Sequence, residues 1–390
     1  MSQTHAPEAT GATAPKEGRE LLFRPFRHGA LALRNRLAMA PMTRKRSPGG
    51  VPTEEVAAYY RRRGEGGIGL IFSEGTFVDH PTAGAEDGGS YRDIPGFAGR
   101  DALAGWERVR LAVAATGAAM MPQLWHLGEV RRRGMGPDPA VPGVGPRRLV
   151  EAGEVLVEAL AEPAMEEIAA AYARSARWAR ELGFDGVALH GAHGYLLDQF
   201  FWPEANDRQD GHGGDMRARS RFACRVVAAI REAVGPGFPI VFRFSQWKMT
   251  DYGARIARTP AELEVLLLAL ADAGVDLFDV STRRFWEPAF EGSGDSLAAW
   301  TRRLSGRPVI AVGSIGLDQP HQSKHYRNST SIDAKVTGVG NVVEAMARGD
   351  FDLAAVGRAL LADPQWAAKV AEGRMAEIAP FDRAALERYA

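Results

Sequence analysis

The chain has 390 residues, 45% of them apolar and 25% charged, with 48 Lys and Arg against 48 Asp and Glu. That composition is ordinary for a soluble globule, and a net charge of zero gives no long-range field for nucleic acid or an anionic membrane. The single cysteine, Cys224, excludes an intrachain disulfide, a cysteine-based zinc site and an iron–sulfur cluster, and no apolar run reaches the roughly 18 residues that span a bilayer.

Residues 1–19, rich in Ala, Thr, Pro and Gly, lack an apolar stretch and read as a disordered tail, not a signal peptide, with 20–390 as one domain. A cytoplasmic protein is expected. LLFRPFRHGALALRN, from Leu21, reads as a short hairpin suited to plug the bottom of a barrel. Apolar runs of strand length follow: LAMAPMT from Leu37, GLIFSEGTFV from Gly69, AAMMPQLWH from Ala118 and GVALHGA from Gly186. PIVFRFSQW from Pro239, DLFDVST from Asp276, PVIAVGS from Pro308 and LAAVGR from Leu353 continue the series. Runs apolar on both faces belong to parallel sheets covered by helices. Helix-patterned stretches separate them, several ending in the glycine that a left-handed cap requires. Eight such units without a break in composition predict an α/β fold, a single-domain (β/α)8 TIM barrel with an N-terminal hairpin and inserted loops, over a doubly wound sheet of five or six strands. The polar stretch from Leu317 to Gly340 is either a functional cap or a solvated insertion.

In such a barrel the active site lies at the C-terminal ends of the strands. The polar residues there are Thr43, Glu74, Gln123, Trp125, His126, His190, His193, Tyr195, Arg243, Arg283, Ser314 and Arg358. They are mostly donors, with neither a paired carboxylate for sugar chemistry nor an acidic cluster for Mg²⁺. The glycine-bearing ends VGSIG and VGRALLADP fit either tight turns or a phosphate site, with Arg358 adding a charged fork. His190 and His193 read in two ways: metal ligands completed by Asp198, or a donor pair gripping a substrate oxygen with Tyr195 as a protonated acid. Arg243 needs an anion, from a cofactor or from a strand-six acid such as Asp276 or Asp279.

From Leu22 to Pro364 the motifs resemble the Old Yellow Enzyme family of flavin-dependent ene-reductases. LFRPFRHGALALRNRLAMAPMTR, SEGT, PQLWHLG, HGAHGYLLDQFFWPEANDR, FRFS, AVGSIG and AVGRALLADP follow in the family's order. The resemblance implies a barrel holding FMN non-covalently. Pro41, Met42 and Thr43 would line the flavin, Gly75 and Gln123 its pyrimidine edge, and Arg243 its N1 and O2. Gly313, Ser314, Gly357 and Arg358 would hold its phosphate. NAD(P)H would supply hydride, His190 and His193 would bind the carbonyl of an activated alkene beside Trp125, and Tyr195 would donate the proton. No metal, nucleic acid or membrane enters this picture, and the protein acts as a monomer or homodimer. The competing readings are a metal-dependent barrel hydrolase or lyase and a non-catalytic flavin-binding redox protein. The loop after strand six and the insertion at 318–340 carry no family motif, and His126 either enters the pocket or packs beneath it. Larger relatives with an iron–sulfur cluster are set aside by the lone cysteine and the length.

Overall fold

A computed structural model describes residues 16–87, 91–320 and 333–389. It opens with helix α1 (Lys16–Phe23). The tail expected over residues 1–19 is therefore helical in its last four positions, and residues 1–15 lie outside the described residues. Strands β1 (Phe26–His28) and β2 (Leu31–Leu33) pair antiparallel as the expected hairpin.

The chain then enters β3 (Leu37–Met39), helix α2 (Glu54–Glu65), β4 (Leu70–Phe77), α3 (Arg100–Ala114) and β5 (Ala119–Trp125). Three short strands, β6 (Gly143–Gly145), β7 (Leu149–Glu151) and β8 (Glu154–Ala159), form a separate sheet before α4 (Glu162–Glu181). Next come β9 (Val187–His193), α5 (Leu196–Phe201), α6 (Met216–Val234), β10 (Ile240–Lys248), α7 (Pro260–Ala273) and β11 (Leu277–Ser281). The last units are α8 (Leu297–Ser305), β12 (Val309–Val312), α9 (Gly340–Ala347), β13 (Leu353–Val356), α10 (Ala359–Ala362) and α11 (Trp366–Glu372). Strands β3, β4, β5, β9, β10, β11, β12 and β13 close into an eight-stranded parallel barrel, β13 pairing back onto β3.

Local chemistry sets the helix ends. Thr53, Asp215, Thr259 and Ser296 cap α2, α6, α7 and α8 by accepting an N–H from the third residue on. Gly306 stops α8 in the left-handed region at φ +64°.

The strands bury both faces by simple alternation. Leu37, Met39, Ile71, Met120 and Ile240 face outward to the helices, while Ala38, Leu70, Met121, Val241 and Leu277 face inward. Phe26, Leu31 and Leu33 of the hairpin join that inner cluster, so the hairpin closes the barrel floor. Among the described residues no helix is long and apolar enough to cross a membrane.

Candidate active site

The inward parity of the strands decides which side chains reach the barrel mouth. On the inner face Ala188 is followed by His190, Val241 by Arg243, Leu277 by Asp279 and Ser281, and Met121 by Gln123 and Trp125. Apolar at the floor, these positions turn polar at the C-terminal ends. They border a cavity of about 830 Å³, within the usual range for small-molecule and cofactor sites. Its lining contains all the residues singled out for a flavin and substrate: Pro41, Met42, Thr43, Gly75, Gln123, Trp125, His190, His193, Tyr195, Arg243, Gly313, Ser314, Gly357 and Arg358.

The imidazole pair is built by a break in the strand. Residues 190 and 193 of an unbroken strand would face opposite ways, but His193 has φ +65° and its N–H donates to Ser245 Oγ at 3.0 Å. The two rings then meet edge to face, 5.1 Å apart. Trp125 stacks on His190 at 5.7 Å, and Tyr195 stands edge-on to both, 4.8 Å from each. Trp247 covers His193 at 4.3 Å. Burial, then the nearby Arg243 charge, holds the His190 imidazole well below its ordinary range, so the ring is neutral at pH 7. Burial also pushes the Tyr195 phenol well above its ordinary value, helped by its hydrogen bond to the Tyr91 hydroxyl. Tyr195 therefore keeps its proton.

Arg243 does have an acid. Its Nη1 donates to Asp279 Oδ2 at 2.5 Å, and both side chains are buried. The register of β10 on β11 sets this pair directly across from one another, while Asp276 binds Arg231 instead. Of the two sources of negative charge foreseen for Arg243, the strand-six acid is thus the one observed. Arg243 Nη2 also donates to Ser281 Oγ at 3.2 Å, and Ser281 Oγ lies 2.8 Å from His193 Nε2.

The metal reading loses its third ligand. Asp198 Oδ1 accepts from Lys248 Nζ at 2.7 Å and Oδ2 from the Gly194 N–H at 2.6 Å, with both charged side chains fully buried. Burial raises this carboxyl to about 6 against the pull of Lys248. No three His, Cys, Asp or Glu side chains converge among the described residues.

At the opposite end of the cavity Arg358 Nη2 donates to the Gln319 carbonyl, while the Ser314 hydroxyl gives its hydrogen to the Arg283 carbonyl at 2.8 Å. An acceptor oxygen therefore already sits where each donor points. Burial lowers Arg358 to about 10. Residues 321–332 of the insertion foreseen there lie outside the described residues. The glycines differ in purpose. A Cβ on Gly75 would lie 2.5 Å from the Trp125 ring, so this position makes room for Trp125. One on Gly357 would meet nothing closer than Met42 Sδ at 3.7 Å, an ordinary van der Waals contact. His126 packs beneath the site, its Nδ1 accepting from Gly128 N–H and its Nε2 3.1 Å from Thr82 Oγ1.

Some lining residues escape sequence reasoning. Tyr91 comes from the loop after β4, Trp247 and Met249 from the end of β10, and Leu386 from the C-terminal segment. That segment docks through Tyr389, stacked on Tyr59 at 4.4 Å, and through Arg44 Nη2 donating to the Arg388 carbonyl at 2.7 Å. Only Trp247 carries a signal, two residues beyond the FRFS run.

The cavity lining holds five cationic side chains and neither Asp nor Glu, while Gln123 Nε2, Trp125 Nε1 and His190 Nδ1 are buried without partners. Buried donors without acceptors are uncommon in proteins and mark a place for an electron-rich ligand. Residues 21–334 match the NADH:flavin oxidoreductase / NADH oxidase family. The chain belongs to that family. A metal reductase of Desulforamulus reducens is 32% identical over 369 residues, 92% of this chain and 50% of that protein. The chain thus spans about half the length of that relative. The 12-oxophytodienoate reductase 2 of Arabidopsis thaliana is 30% identical over 353 residues, covering 88% of this chain and 86% of the relative. The solved structure of morphinone reductase in complex with tetrahydroNAD is similar with a TM-score of 0.75 at 27% identity, over 94% of this chain and 93% of that one.

Proposed function

We propose that this family member is an FMN-dependent ene-reductase, which takes hydride from NAD(P)H and reduces the C=C bond of an α,β-unsaturated carbonyl or related activated alkene. The observation that carries this reading is the set of unpartnered buried donors, Gln123 Nε2 and His190 Nδ1, on an acid-free cavity at the barrel mouth. These residues fit FMN. Pro41, Met42 and Thr43 would lie along the ring, Gln123 and the Gly75 backbone at its pyrimidine edge, and Arg243 beside N1 and O2. Gly313, Ser314, Gly357 and Arg358 would hold the phosphate, Arg358 exchanging for it the Gln319 carbonyl that it now meets. Bound non-covalently, FMN supplies the hydride chemistry, and the protein orients and polarises.

The chain's own groups do the rest. Hydride donor and alkene enter the same cavity in turn. Arg243 is a donor only, so Ser281 accepts from it and turns its own hydrogen to His193 Nε2, leaving Nδ1–H for the substrate. His190 Nδ1–H joins it at the carbonyl oxygen, where enolate charge develops between donors already in place. Tyr195, still protonated, delivers its hydrogen to the α-carbon. Trp125 and Trp247 hold the two imidazoles flat. The reading places the protein in the cytoplasm, acting on small molecules as a monomer or homodimer, with Cys224 a reduced bystander.

The visible spectrum of purified protein tests it. An oxidised-flavin spectrum that passes into the filtrate after denaturation, bleaches with NAD(P)H and returns on adding cyclohexenone is the expected result. Protein that binds no added FMN defeats the proposal. Bound flavin that never turns over an enone assigns a non-catalytic redox role instead.

A further inference from the structure

We propose that Arg283 forms an anion subsite in the cavity, which selects ligands carrying a phosphate or carboxylate in addition to the reacting group. This rests on the FMN reading above. The cavity lining carries Arg44, Lys45, Arg243, Arg283 and Arg358, with no acid among them. Arg44 donates to the Arg388 carbonyl, Arg243 is paired with Asp279, Arg358 meets the Gln319 carbonyl, and Lys45 is also engaged.

Arg283 differs. Its guanidinium lies 3.8 Å over the Tyr252 ring, its Nε is buried without a partner, and among the described residues it takes part in no hydrogen bond or ion pair through its side chain. Stacking covers one face of the plane and leaves the N–H groups at its edge without an acceptor among the described residues. A planar fork of that kind matches carboxylate and phosphate oxygens, and leaving its buried donor unmet is unfavourable. The backbone beneath it is fixed. Ser314 Oγ donates to the Arg283 carbonyl at 2.8 Å, and the Thr282 N–H donates to the Val312 carbonyl at 2.9 Å. With Arg358 and Arg243 assigned to FMN, Arg283 is the lining cation left for a second ligand. The anion comes either from a phosphate of the nicotinamide nucleotide or from a carboxylate on the alkene.

Steady-state kinetics of the flavin-loaded protein separate these sources. The substrates are NADPH, NADH, a cyclohexenone carboxylate and its methyl ester, compared in wild type, Arg283→Gln and Arg283→Lys. The subsite predicts that Arg283→Gln raises KM for the anionic ligand at least about tenfold relative to the neutral ester, with partial recovery in Arg283→Lys. A rise for NADPH alone assigns the 2′-phosphate, a rise for both nucleotides the pyrophosphate, and a rise for the enone carboxylate the alkene. Ratios that stay within about twofold throughout overturn the subsite. Loss of FMN from Arg283→Gln also overturns it, by giving Arg283 to the cofactor. A wild-type chain that takes up no flavin fails at the parent reading instead, which distinguishes the two failures.

Discussion

Tyr195 can serve as an acid because nothing around it favours the phenolate: burial and the Tyr91 hydroxyl both push its proton affinity upward. Tyr195→Phe keeps the ring that packs edge-on against Trp125 and His190 and removes only the hydrogen to be delivered. We expect alkene reduction to slow by about 10²–10⁴-fold, the usual range for a positioned general acid, while reduction of the flavin by NAD(P)H continues. Stopped-flow measurement of the two half-reactions checks this, and an unaltered alkene step would remove Tyr195 from its role. Glu74 sits behind the site. Its Oε2 accepts the Arg44 and Lys45 N–H groups at 2.7 and 3.1 Å, and so ties down the segment that carries Thr43. Burial raises this carboxyl from 4.5 to about 7 although both N–H groups oppose it. Between those values the folded chain binds a proton that the unfolded chain has released. Stability from this group is therefore full below about 4.5 and lost as pH rises through about 7. Glu74→Gln keeps an acceptor and abolishes the titration. Urea unfolding should show wild type losing stability relative to this variant between about pH 5 and about pH 8; a constant difference contradicts the assignment.

At the level of elements, the hairpin of β1 and β2 is a structural part of the barrel. Phe26 is 5% exposed and packs into the inner cluster with Leu31 and Leu33. Phe26→Ala should lower stability by about 3–5 kcal/mol, as for other buried aromatic truncations, and a denaturant midpoint close to wild type would show the floor to be dispensable. Elements with a strong repeating pattern were legible in the chain. All eight barrel strands coincide with the apolar runs read from it, β9 and β10 each extending one residue further, because both faces of each are buried and charge is excluded until the mouth. The site residues were legible for the same reason, as the polar ends of apolar strands. What escaped depends on relations between distant segments. The β6–β8 sheet consists of short strands with exposed polar positions and has no clear period. The Arg243–Asp279 pair needs the register of β10 on β11, which no single run contains. Tyr91, Leu386 and the docking of Tyr389 on Tyr59 depend on loops and on a segment far along the chain.

For the whole molecule, the cavity concentrates positive charge in a chain whose net charge is zero. Around it the buried pairs Arg243–Asp279 and Lys248–Asp198 and the Glu74 carboxyl, which accepts two backbone N–H groups, hold the walls. A ligand that fills the cavity adds its binding free energy to that of folding. FMN at about a hundred times its dissociation constant should stabilise stripped protein by about 2.7 kcal/mol. A thermal melt of stripped protein with and without FMN reads this directly, and coincident curves would mean that the cofactor does not engage the folded barrel. The pairing of β13 onto β3, Ala354 beside Leu37, has a consequence for biosynthesis. At about 5–20 residues per second a ribosome needs on the order of tens of seconds to pass from the first of these strands to the last. Throughout that interval the nascent sheet has an open edge, and the pocket lacks the wall to which Gly357, Arg358 and Leu386 belong. Cofactor loading thus belongs after this last wall has been made, and the half-made barrel is the stage at which a chaperone has most to protect.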